Sequence, residues 1–243
     1  MRLDIFLTEN NYFDSRNKAK TAIEAGRVSV NGKVVTKASL EIQENDVIEI
    51  IKNDEYEFVG RGGLKLEHAF GVFCFSAHNK LCVDIGASTG GFTECLLLHG
   101  AKRVYAIDSG KGQLASKLLC DERVVSIEGF NARNLTPDTI GGDLAEIIVM
   151  DVSFISQKLL YPAILRVASQ GCDVITLIKP QFEAGRQNLG KNGIVKDKKV
   201  RQHVIDEIIE YAEGMGFEYI CHTESPITGG DGNVEYLLHL KVK

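Results

Sequence analysis

No apolar run in the chain approaches the roughly 20 residues that span a bilayer, so insertion into a membrane is not expected. No internal repeat is present, which sets aside a fibrous or repeat architecture. The opening Met1-Arg2-Leu3-Asp4 lacks the charged-then-apolar layout of a signal peptide, and the cytoplasm is the expected compartment. The six cysteines (Cys74, Cys82, Cys95, Cys120, Cys172 and Cys221) include no C-x-x-C pair and fall mostly within or beside apolar segments. They read as buried, reduced thiols. The six histidines are equally dispersed, and without paired ligands at short spacing no metal is expected.

What is present is a globular composition, 44% hydrophobic and 25% charged, in 243 residues. That length has room for one sizeable core plus a small appended module. The net charge of −5 argues against indiscriminate adhesion to polyanions, yet the charge is unevenly distributed. Residues 1–40 carry seven Lys/Arg against four acids (+3), residues 41–60 one Lys against seven acids, and Lys179 to Arg201 seven Lys/Arg against two acids (+5). Two separated basic stretches on an acidic chain point to selective contact with RNA.

In the first stretch, Asp14 or Ser15 can cap a helix over Arg16 to Ala25 that Gly26 stops. Its apolar stripe is Ala19, Ala22 and Ile23, flanked by Arg16 and Lys20 one turn apart, with Arg27 after the stop. Val28-Ser29-Val30, Asn31-Gly32 and Lys33-Val34-Val35 make a two-residue hairpin signal, and Asp46 to Ile51 adds an alternating strand. This stretch resembles the S4 RNA-binding domain. The resemblance implies recognition of folded RNA through phosphates and shape, with Arg16, Lys20 and Arg27 as contacts; the alternative is a helical cap with solvated charges.

Asn53 to Glu57 reads as a linker, which divides the chain into residues 1–57 and 58–243. Beyond it a helix from Leu64 to about Phe70 is followed by strands alternating with helices: Leu81 to Ile85, Gly91 to His99, Arg103 to Ile107, Gln113 to Leu119, Arg123 to Ile127, Glu146 to Met150, Lys158 to Ala168, Asp173 to Ile178 and Val200 to Met215. Phe217 to His222 and Glu235 to Lys241 close the series. The expected fold class is α/β, a doubly wound parallel sheet with an antiparallel last strand, behind a small α+β module.

Val83-Asp84-Ile85-Gly86 ends a buried strand, and Ala87-Ser88-Thr89-Gly90-Gly91-Phe92 turns the chain into a helix at the ligand-binding edge of such a sheet. The turn fits neither G-x-G-x-x-G nor the P-loop pattern. It resembles the D-x-G-x-x-x-G turn of S-adenosylmethionine-dependent methyltransferases, which implies a Rossmann-like domain and cofactor contacts from Asp84, Gly86, Ser88, Gly90, Gly91 and Phe92. Asp108, at the tip of the next strand, can accept from ribose hydroxyls or can cap the following helix. Asn131, in the loop after the third strand, can reach an adenine or can stabilise a turn.

Asp151 and Lys179 each end an apolar strand. Burial disfavours an ammonium, so a lysine at such a site can serve as a base; the alternative is a rim lysine paired with Asp151. With Arg61-Gly62-Gly63-Leu64-Lys65, Asp151-Val152-Ser153-Phe154-Ile155-Ser156, Lys179-Pro180-Gln181-Phe182-Glu183 and Gly232-Asn233-Val234-Glu235-Tyr236, the chain resembles over essentially its whole length the haemolysin A (TlyA) family, which joins an S4 domain to an FtsJ-type methyltransferase domain. The resemblance implies methylation of a ribose 2′-hydroxyl, on cytidine in ribosomal RNA, by a tetrad that falls on Lys65, Asp151, Lys179 and Glu235. Arg61 joins the RNA contacts. The chain is similar to the shorter members of the family, for which large-subunit RNA, free or in the ribosomal subunit, is the expected target.

In this reading Lys179 takes the proton, Asp151 and Glu235 position the lysines, Lys65 orients the hydroxyl, and no metal takes part. Gln181 to Lys199, rich in Gly, Lys and Asn, is expected to be mobile and to order on RNA. The competing readings are a non-catalytic RNA-binding factor in ribosome assembly, a haemolysin-like membrane-active protein and another S4-linked enzyme such as a pseudouridine synthase.

Overall fold

A computed structural model describes residues 1–10, 12, 13, 15–24, 26, 28–43, 45–50 and 58–243, and of Lys191 only the backbone. Two compact units divide the chain, Met1–Glu57 and Phe58–Lys243.

The first unit holds helices α1 (Leu3–Glu9) and α2 (Arg16–Glu24) and strands β1 (Val28–Val30), β2 (Lys33–Val35) and β3 (Ile48–Ile50), in a sheet ordered β2-β1-β3. The expected helix and hairpin are both there. Ser15 caps α2, its hydroxyl oxygen accepting from Lys18 N at 3.3 Å. Asp14, Ala25, Arg27, Ile51 and the linker lie outside the described residues. The sequence reading missed α1, because Leu3-Asp4-Ile5-Phe6-Leu7 opens without a capping side chain and shows only one apolar repeat. That repeat is enough, since Leu3 and Leu7 are fully buried against Ala19, Ile23 and Val28.

The second unit begins with α3 (Gly62–Val72) and continues as β4 (Leu81–Ile85), α4 (Gly91–Leu98), β5 (Arg103–Asp108), α5 (Ser116–Leu119), β6 (Val124–Glu128), β7 (Ala145–Met150), α6 (Tyr161–Val167), β8 (Ala168–Ile178), α7 (Pro180–Glu183), α8 (Lys198–Met215), β9 (Phe217–Glu224) and β10 (Tyr236–Val242). Its seven strands lie in the order β6-β5-β4-β7-β8-β10-β9, parallel except for β10, which runs antiparallel to both neighbours. Apolar side chains from both faces of the sheet form two cores. One gathers Val83, Ile148, Val174 and Leu238 with α6 and α8; the other gathers Cys82, Ile147 and Ile175 with α3 and α4.

Element ends differ from the sequence reading for local reasons. Helix α5 starts at Ser116 rather than Gln113, because the amides of Gly112, Gln113 and Leu114 donate to the Glu128 carboxylate instead of opening a helix. Strand β8 starts at Ala168, five residues before Asp173, pairing Ala168 with Ala145 ahead of a register shift. Among the described residues no helix is long and apolar enough to cross a membrane.

Candidate active site

Strand order reverses between β4 and β7, and at such a switch point the loops at the carboxyl ends diverge to leave a crevice. The glycine turn leaves β4 there, with Asp151 beside it: Asp151 N donates to Ile85 O at 3.0 Å. Gly86 adopts φ +85°, and a side-chain carbon there would stand 2.4 Å from the Asp151 carbonyl oxygen. Only glycine lets the two loops touch. Gly90 is the N-cap of α4, and Gly91 meets the backbone of Gly60, Gly62 and Gly63, so any side chain would push α3 away.

The antiparallel insertion of β10 completes the site. Tyr236 pairs with Ile178, so the start of β10 lies beside the end of β8. Asp151 after β7, Lys179 after β8 and Glu235 before β10 therefore stand along one sheet edge, and α3 brings Lys65 to meet them. Lys65 Nζ donates to Glu235 Oε2 at 2.7 Å and lies 3.5 Å from Asp151 Oδ2. Lys179 Nζ is 2.6 Å from Asp151 Oδ1 as an ion pair, and its directional hydrogen bond goes to Ser153 Oγ at 2.8 Å. Lys65, Lys179 and Glu235 are all buried. Two ammonium and two carboxylate groups thus offset one another, the condition under which charges persist in a protein interior. They line a cleft of about 270 Å³ together with Arg61, Gly62, Ile227, Thr228, Gly229 and Gly230. Arg61, Thr228 and Gly230 are its exposed members.

The other residues singled out in the sequence fall into distinct places. Ser88 is exposed in the turn with φ +48°, and its amide donates to Asp108 Oδ2 at 2.8 Å while Gly110 N donates to Oδ1 at 2.7 Å. Asp108 therefore steadies the crevice wall and keeps spare lone pairs for a ligand. Asn131 is exposed and caps a short turn, its side chain accepting from Arg133 N at 3.1 Å. Phe92 is buried in the core with Leu66 and Leu96, so only its backbone faces the turn. Asp84 lies beneath the turn, fully buried. Its Oδ2 accepts from the Thr93 hydroxyl at 2.7 Å, and its Oδ1 has no partner among the described residues. Burial pushes the carboxyl up to about 7, against the opposing Thr93 bond. An orphaned buried oxygen under a glycine turn that a side chain would fill fits a nucleoside-bearing cofactor with a cationic group.

Three site residues escaped the sequence reading. Ser153 sits inside a quoted motif and Thr93 directly after one, but neither gave a signal that it would bind Lys179 or Asp84. Phe154 is 87% exposed, has φ +66° and packs only obliquely on Phe182. A large apolar residue held in the left-handed region costs about 1–3 kcal/mol and is characteristic of functional loops.

In the first unit, Arg16 and Lys20 line an open groove of about 650 Å³ with Arg2, Asp4, Asn17, Glu24 and Lys37. Arg2 and Arg16 both bind Asp4, each at 2.9 Å, and hold its carboxyl down at about 2; Lys20 lies 3.7 Å from Glu24. Arg2 and Lys37 entered the sequence reading only as charge. In the second basic stretch, Lys179 is buried in the tetrad and Arg201 is bound to Tyr236 and to the carbonyls of Val195 and Lys196. Among the described side chains, Arg186, Lys196, Lys198 and Lys199 remain as its exposed cations.

The FtsJ-like methyltransferase family matches residues 58–242, and the S4 domain matches residues 1–48. Hemolysin A of Brachyspira hyodysenteriae is 47% identical over 98% of this chain and 99% of its own. The 16S/23S rRNA (cytidine-2′-O)-methyltransferase TlyA of Mycobacterium tuberculosis strain H37Rv is 38% identical over 100% of this chain and 90% of its own. The solved structure of a hemolysin-named protein from Streptococcus thermophilus superposes with a TM-score of 0.79 at 40% identity, covering 100% of this chain and 88% of that one. The chain therefore belongs to the FtsJ-like methyltransferase family, in the haemolysin A (TlyA) branch that carries an S4 domain.

Proposed function

We propose that this protein transfers a methyl group from S-adenosylmethionine to the 2′-hydroxyl of a cytidine ribose in ribosomal RNA, acting in the cytoplasm and with large-subunit RNA, free or assembled, as its target. The observation that carries the reading is the Lys65-Asp151-Lys179-Glu235 cluster, buried in a cleft whose Asp151 touches the glycine turn at the β4/β7 switch point.

S-adenosylmethionine, when bound, supplies a methyl carbon already activated by a sulfonium. Gly86, Ser88, Gly90 and Gly91 offer it a close backbone approach, Asp108 a carboxylate for ribose hydroxyls, Asn131 an amide for the base, and Asp84 a buried acceptor for the ammonium. A ribose hydroxyl is too weak an acid to ionise at neutral pH, so its proton must leave as the new bond forms. Lys179, in its neutral form, takes that proton. Asp151 and Ser153 fix the direction of its amine. Lys65, clamped between Glu235 and Asp151, faces the developing oxygen charge. Phe154, exposed in the loop that follows Asp151 and next to Ser153, offers a ring face on which an unstacked base can rest. Arg61 at the cleft and Arg16, Lys20 and Arg27 on the S4 domain hold phosphates.

Labelled S-adenosylmethionine and ribosomal RNA with purified protein, followed by mapping of ribose methylation in cells with and without the gene, tests the reading. Label is expected at a cytidine of the large-subunit RNA. Label confined to small-subunit RNA would overturn the target, and no incorporation into any ribosomal RNA would overturn the activity.

A further inference from the structure

Glu67, Cys95 and His99 form a cluster that methyl transfer does not use. Cys95 lies on α4, His99 is its C-cap, and Glu67 reaches both from α3, the helix packed alongside. The carboxylate is the shared vertex. Glu67 Oε2 lies 2.8 Å from His99 Nε2 and accepts from Cys95 Sγ at 3.5 Å, and one donor atom of each residue lies within 4.8 Å of the other two. The His99 ring stacks on Phe70 with centroids 3.7 Å apart and planes 7° from parallel, which fixes the direction of Nε2. Cys95 is fully buried, whereas the Glu67 and His99 side chains are 35% and 31% exposed. The cluster is rooted in the core on one side and open to water on the other.

We propose that Glu67, Cys95 and His99 bind a divalent ion of the zinc type, with water as the fourth ligand. A thiolate, an imidazole and a carboxylate are a ligand set suited to a borderline ion. Bonds of about 2.0–2.3 Å in a tetrahedral site put neighbouring ligand atoms roughly 3.3–3.7 Å apart. The sulfur–oxygen separation of 3.5 Å is already there, and the nitrogen–oxygen pair at 2.8 Å has only to open slightly. On binding, the Cys95 S–H bond breaks, a sulfur–metal bond forms and the proton passes to water, while the His99 proton that faces Glu67 leaves Nε2 for water as another water protonates Nδ1, which frees the Nε2 lone pair for the ion. The expectation of no metal came from spacing along the chain. Glu67 and Cys95 are 28 residues apart and meet only because α3 packs on α4. The bound ion braces the helix that carries Lys65 against the helix that grows from the glycine turn.

Titration of the full chain with Co²⁺ tests the site without reference to methyl transfer. A thiolate-to-metal charge-transfer band is expected to saturate at one equivalent and to be bleached by Zn²⁺. Cys95→Ser should lose it, and so should His99→Phe, which keeps a ring on Phe70 but removes the ligand. Zn²⁺ should raise the thermal midpoint of the wild type and leave that of Cys95→Ser unmoved. Absence of the band, or a band that persists in Cys95→Ser, overturns the site.

Discussion

Lys65 and Glu235 stand 170 residues apart in the chain and 2.7 Å apart in the fold, both shut away from solvent. The pair joins a helix at one end of the methyltransferase domain to the last strand at the other. Removing one partner leaves a buried charge with Asp151 as its remaining counter-ion, at 3.5 Å from Lys65. Glu235→Ala is therefore expected to cost roughly 3–5 kcal/mol in chemical denaturation. A loss under about 1 kcal/mol, the range of surface pairs, would show that the pair is not buried in solution.

Lys179 separates the role of base from that of charge. Lys179→Ala should abolish methyl transfer while leaving S-adenosylmethionine affinity nearly intact. Lys179→Arg should be equally inactive, since a guanidinium keeps the charge beside Asp151 but does not give up its proton in proteins. Turnover by either variant within tenfold of wild type would remove Lys179 as the base.

The Gly86 contact with Asp151 links the glycine turn to the tetrad. Gly86→Ala places a methyl group against a carbonyl oxygen at a position with φ +85°. Loss of cofactor binding by calorimetry is expected together with lower stability, because the crevice and Asp151 must both shift. Unchanged affinity would mean that the turn does not hold the cofactor.

Asp84 predicts a pH dependence of stability. Its carboxyl rises from an ordinary value of 3.8 to about 7 because it is buried, so the folded state holds a proton that the unfolded state has released between those values. The contribution is complete below about pH 4 and is lost as pH rises through about 7. Unfolding free energies of wild type and Asp84→Asn should therefore diverge between about pH 4 and 7, with the wild type falling more steeply. Parallel curves would place the titration elsewhere.

Phe154 should matter for RNA and not for cofactor. Phe154→Ala is expected to lower methylation of ribosomal RNA severalfold with unchanged S-adenosylmethionine affinity, as removal of one base-stacking ring costs about 1–3 kcal/mol. A normal rate with full-length RNA would show that the exposed ring does not carry a base.

Periodicity and turn chemistry were enough to fix most of the architecture from the chain alone. The buried strand before Gly86, the two-residue hairpin at Asn31-Gly32 and the alternation of strands with helices are local signals, because each depends on residues within one or two turns of one another. The same holds for Asp151 and Lys179, charged groups at the tips of apolar strands, whereas Lys65 and Glu235 were picked out only by motifs that resemble those of the haemolysin A (TlyA) family. Tertiary structure decided what those groups touch. The antiparallel entry of β10 set Glu235 beside Lys179, packing of α3 delivered Lys65, Ser153 and Thr93 were recruited to orient Lys179 and Asp84, and α3 against α4 drew Glu67 to Cys95 and His99. Hydrogen bonds and ion pairs act over about 3 Å, so such partners remain invisible in a sequence until burial of the two cores brings distant segments together.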